Sequence, residues 1–166
     1  MNELFVPYIE ALELKQLGFD EPCFGYYDEE GDDELYEYAD CSGNVTGNKS
    51  CYNYDFLSVT NSQLNEYGAF SSKDDNDEEV YERWTAPLYT QAFKFFRDNF
   101  GLYQHIQRIS ENWYTPVLSA SGKFRLGHIG QEFSNRYNFN THEEAELECL
   151  RKLIQIVKKQ IDEITE

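Results

Sequence analysis

Three histidines, His105, His128 and His142, are the side chains in this chain best suited to moving a proton near neutral pH. His105 and His128 fall in segments whose alternation predicts strands, where they would face each other across a sheet. Ser110, Ser119 or Cys149 would then be the candidate nucleophile of a small hydrolase. Against that reading, neither a nucleophile elbow nor a Cys–His signature surrounds any of these residues. His142 reads as an exposed residue in the first turn of a helix. The expectation is therefore a non-enzyme with no catalytic residue, with a hydrolase using His105 and His128 kept as the rival from another class.

Metal and cofactor chemistry finds no better footing. The runs Asp28–Glu34 and Asp74–Glu79 could gather carboxylates around Ca²⁺, but the EF-hand pattern needs Gly at its sixth position, and these runs place Asp33, Glu79 or Val80 there. No CxxC or HxxxH spacing points to zinc, and Gly25, Gly31, Gly43 and Gly47 form no phosphate-cradling loop. No metal and no cofactor are expected. Four cysteines, Cys23, Cys41, Cys51 and Cys149, read as free thiols in a reducing compartment; Cys41 and Cys51 bracket a Gly/Asn/Ser-rich loop that would close as a disulfide in an oxidising one. The sequons at Asn44 and Asn48 carry meaning only with secretion. Trp84 and Trp113 read as core or interface anchors.

Charge is the most lopsided property of the chain. Its 166 residues hold 31 acidic and 14 basic side chains, a net of −17. Residues 1–82 contain 21 of the acids and three of the bases, whereas residues 83–166 contain ten and eleven, so the two halves carry −18 and +1. The first half also holds nine of the 13 tyrosines. A surface of this sign disfavours direct binding of nucleic acid, which needs clustered Lys and Arg. It suits either a solvated, solubilising face or a docking face for a basic protein, with Tyr supplying contact area at low entropic cost. The residues singled out for a partner are Asp28, Glu29, Glu30, Asp32, Asp33, Glu34, Tyr36, Tyr38, Asp74, Asp75, Asp77, Glu78 and Glu79. A DNA mimic, whose carboxylates stand in for phosphates in the basic cleft of a nuclease or defence protein, is the special case of this reading.

The elements that must position these groups follow from local signals. Pro7 to Leu17 predicts a helix that ends with Gly18 in the left-handed region and Phe19 folded back on Leu14, a Schellman ending. Two strands, 22–27 and 34–39, flank the acidic turn 28–33; a further strand is read at 54–60 and a helical turn at 61–67. Residues 68–82 have no apolar period and read as an acidic linker. Thr85 and Pro87 would open a helix running to about Asn99, closed by Gly101. Strands are predicted at 103–109, 113–119, 123–129 and 133–139, with Pro116 demoting the second to an edge or forcing a bulge. Thr141-His142-Glu143-Glu144 matches a capping box, and Leu147, Leu150, Ile154, Val157, Ile161 and Ile164 make a continuous apolar seam on the last helix. The sum is an α+β fold. Its C-terminal antiparallel sheet of three to four strands is covered by two helices, and an acidic helix-plus-hairpin region precedes it. The boundaries are 1–67, a linker at 68–82, and 83–166.

Three stretches, Leu4–Tyr27, Trp84–Arg97 and Thr141–Ile154, together resemble an uncharacterised group of small proteins encoded by tailed phages and prophages of Bacteroidota. The region from Asp28 to Arg83 departs from that pattern, being longer and more acidic. The resemblance implies a viral accessory protein working in the host cytoplasm and brings no functional residue with it. The start of the chain has no basic, apolar leader and no run of eighteen apolar residues occurs, so neither secretion nor a membrane span is expected. The expected partner is a basic protein surface of host or phage origin, approached by a monomer or weak homodimer.

Overall fold

The structure, a computed structural model, describes residues 4–28, 36–37, 60–66, 83–111, 113–121 and 139–165. It is mixed α and β, and the chain divides into two compact units, Met1–Leu88 and Tyr89–Glu166.

In the first unit, α1 (Tyr8–Gln16) starts immediately after Pro7, whose carbonyl accepts from the Ala11 amide at 2.9 Å. It ends as its sequence dictates: Gly18 has φ +89°, the Phe19 amide reaches the Leu14 carbonyl at 3.0 Å, and the Gly18 amide reaches that of Lys15 at 2.9 Å. Leu14 and Phe19 are both buried. Next come β1 (Gly25–Asp28), β2 (Tyr36–Glu37), the short α2 (Asn61–Glu66) and β3 (Arg83–Ala86). They form an antiparallel sheet in the order β2-β1-β3.

The hairpin of β1 and β2 was legible in the alternation; β3 was not. Thr85, expected to open a helix, lies instead in the strand across from Tyr26. Tertiary partners decide this: Thr85 and Trp84 are buried, the Thr85 amide donates to Asn61 Oδ1 at 2.9 Å, and the helix begins only at Tyr89. On the core side of the sheet, the Tyr8 ring meets Tyr27 and Trp84 edge-on at 5.6 and 4.7 Å. Tyr27 Oη donates to the Val6 carbonyl at 2.8 Å and Trp84 Nε1 to that of Tyr8 at 3.3 Å, so both polar tips are satisfied while the rings are buried.

In the second unit, α3 (Tyr89–Phe100) buries Tyr89, Ala92, Phe93, Phe95 and Phe96, which fall on one broad stripe at helical spacing. Gly101 follows at φ +63°, and its backbone is so close to Ser121 that an added Cβ would lie 2.5 Å from the Ser121 carbonyl oxygen. Strands β4 (Leu102–Ser110) and β5 (Trp113–Ala120) pair antiparallel. Their register runs through Pro116, opposite Ile106, without a shift. The irregularity falls at Arg108/Ser110 instead, where the Arg108 guanidinium ties down the tip by donating to the carbonyls of Ser110 and Glu111 at 3.1 and 2.9 Å. Of the two further expected strands, only Phe139 is described; its amide and carbonyl each bond Tyr114 at 2.9 Å. The strands expected at 54–60 and 123–129 lie outside the described residues, apart from Thr60.

The last helix, α4 (His142–Thr165), packs on β4, β5 and α3. Thr141 Oγ1 accepts from the Glu144 amide at 3.1 Å, as a capping box requires, but the Glu144 carboxylate reaches back one residue further than expected, to the Asn140 amide at 3.2 Å. The apolar seam also needs correction. Leu150, Leu153, Ile154, Ile156 and Val157 are buried, whereas Ile161 and Ile164 are exposed. Spacing alone sets a face, and the burial stops after Val157.

The two positive-φ glycines separate the strain of left-handed backbone from steric conflict. Gly18→Ala meets open space and is expected to cost about 1 kcal/mol, the left-handed penalty alone. Gly101→Ala adds a backbone clash and should cost at least about 2 kcal/mol more. Urea unfolding of the two variants checks the order; equal losses would contradict the close approach at Ser121.

Candidate functional site

The attachment of the acidic runs starts from β-sheet register. In the β1–β3 pair, Asp28 stands directly across from Arg83, and in the β1–β2 pair Tyr26 stands across from Tyr36. Antiparallel partners have Cα atoms roughly 4.5–5.5 Å apart. The residue after Asp28 is Glu29 and the residue before Arg83 is Glu82. The acidic runs 28–34 and 74–79, separated by 39 residues in sequence, thus lead off from one end of one three-stranded sheet. Of the residues singled out for a partner, Asp28 closes β1 and Tyr36 opens β2. Glu29, Glu30, Asp32, Asp33, Glu34, Tyr38, Asp74, Asp75, Asp77, Glu78 and Glu79 lie outside the described residues.

Cations sit at the same end. The Arg83 guanidinium lies over the Tyr26 ring, 5.6 Å from its centroid. Lys15, from α1, donates through Nζ to the Arg83 carbonyl at 3.0 Å. Neither residue was singled out in the sequence, because each acquires its place only when β3 pairs with β1.

What holds this end to the rest of the unit is a buried amide. Asn61, 5% exposed, donates through Nδ2 to the Phe19 carbonyl at 2.6 Å and accepts from the Thr85 amide at 2.9 Å. Next to it Ser62 donates through both its amide and its hydroxyl to the Asp20 carboxylate. One short helix thereby joins the turn after α1 to β3. Asn61 gave no signal in the sequence beyond its place at the start of a marginal helical turn.

The candidate reactive groups are dispersed. His105 is exposed on β4 across from Val117, and His128 lies outside the described residues. His142 is exposed, packs edge-on to Tyr114 at 5.8 Å, and its Nδ1 is 3.4 Å from the Glu146 carboxylate. Ser110 and Ser119 are exposed on β4 and β5. Cys149 is fully buried, and burial pushes its thiol far above the ordinary range, with Glu146 and Glu148 adding to the effect; it is no nucleophile. Cys23 is likewise buried, donates to the Glu21 carbonyl at 3.4 Å, and is pushed up to about 12 by burial, which outweighs the Thr85 hydroxyl beside it. Cys41 and Cys51 lie outside the described residues. Trp84 is a core anchor, while Trp113 is exposed near the β4–β5 tip. Among the described residues no three His, Cys, Asp or Glu side chains gather as a metal site would require, and no helix is long and apolar enough to cross a membrane.

Dividing the charge at the boundary between the units sharpens the picture. Met1–Leu88 holds 21 acidic and four basic residues, and Tyr89–Glu166 holds ten of each. The whole formal charge of −17 therefore belongs to the first unit.

No protein-family model matches the chain, and no match was found among curated proteins or among solved structures.

Two buried thiols and one carboxyl make the electrostatics testable. In a Cys41→Ser/Cys51→Ser variant, Cys23 and Cys149 should not react with a thiol-specific chromogenic reagent until the protein is unfolded; fast native labelling would contradict their burial. Burial raises the Glu146 carboxyl above its ordinary range near 4.5, with His142 partly offsetting it. Such a group adds stability only while protonated. Its contribution is present below the ordinary value and is lost as pH rises through the raised folded one. Glu146→Gln should therefore gain stability relative to the parent as pH climbs from acid to neutral, read as the difference in Tm between the two proteins along the pH series.

Proposed function

We propose that this is a non-catalytic binding module, an accessory protein of a phage or prophage acting in the host cytoplasm, that engages a basic protein surface through its acidic first unit. The observation that carries the reading is the Asp28–Arg83 register together with the charge division: two acidic runs are attached at one sheet end, in a unit that bears all of the net charge. Carboxylates concentrated at one place raise the local potential and steer a cationic partner, whereas the same number spread over a surface would only solubilise it. The tyrosine content of this half supports contact as well as attraction. A DNA mimic is the narrower form of the same reading, in which the partner is the basic cleft of a nuclease or defence protein. We take the protein to work as a monomer or weak homodimer. We also read the second unit as a sheet of three to four strands under its two helices, for which the Tyr114–Phe139 bridge is the support.

The test is capture from host lysate by the immobilised protein across a salt series. The comparison is a variant in which the acids of 28–34 and 74–79 are replaced by their amides. A basic partner should be held at low salt, released as salt rises toward about 1 M and the Debye length shrinks to roughly 3 Å, and missed by the amide variant. Competition by duplex DNA for the captured partner would select the mimic. If parent and amide variant capture the same proteins, or neither captures any at low salt, the acidic runs serve solubility alone.

A further inference from the structure

We draw no further inference here: the strongest candidate, the last turns of α4 where Ile161 and Ile164 carry the helix's apolar seam into solvent beyond Val157, is an exposed apolar face and nothing in the structure shows what covers it.

Discussion

Pairing of β1 with β3 is the constraint on which the first unit depends. It joins Gly25 to Ala86, Tyr26 to Thr85, Tyr27 to Trp84 and Asp28 to Arg83, residues more than fifty positions apart. Closing a loop of that length is entropically unfavourable, growing slowly with length, and the stretch it closes is rich in like charges that repel one another. Both costs are offset by what the pairing brings together. Trp84 and Tyr27 become buried against Tyr8, and Asn61 finds a backbone donor on one side and a backbone acceptor on the other. The cations Arg83 and Lys15 arrive at the same sheet end as the acids.

The second unit solves a different problem, since its formal charges cancel. Among the described residues its ion pairs join side chains one to four positions apart, the exposed Lys94 bonding Asp98 at 2.8 Å and holding that carboxyl below its ordinary range. Pairs of this kind contribute little to stability. Shape is set by backbone devices instead. Gly101 allows the chain to leave α3 against Ser121, the Arg108 guanidinium fastens the hairpin tip, and Thr141 with Glu144 satisfies the amides at the start of α4.

Legibility in the sequence follows the range of the interaction. The Schellman ending at Gly18 and the cap at Thr141 are readable because each is written within a few residues. The strand at 83–86 was not, because its partner is distant and Thr85 with Pro87 imitates a helix start; Pro87 in fact offers its carbonyl to the Val6 amide at 2.8 Å. The seam of α4 was readable as a period but not in extent, since nothing local says where the packing surface ends. For the candidate site, the excess of acid is countable, while the pairing of Asp28 with Arg83, from which the two runs lead off, needs the register.

That difference has a physical consequence. Among the described residues of the first unit, the buried side chains come from 5–27, 61 and 84–87, and the sole charged one among them is Glu10. The strands are joined through backbone hydrogen bonds and through buried side chains that lie outside the acidic runs. A change of charge in the acidic runs therefore leaves these buried contacts in place and acts on the pairing through the like-charge repulsion that opposes it. Lowering that repulsion favours the closure, so in this unit field strength and stability of the pairing move in opposite directions while the buried contacts stay the same.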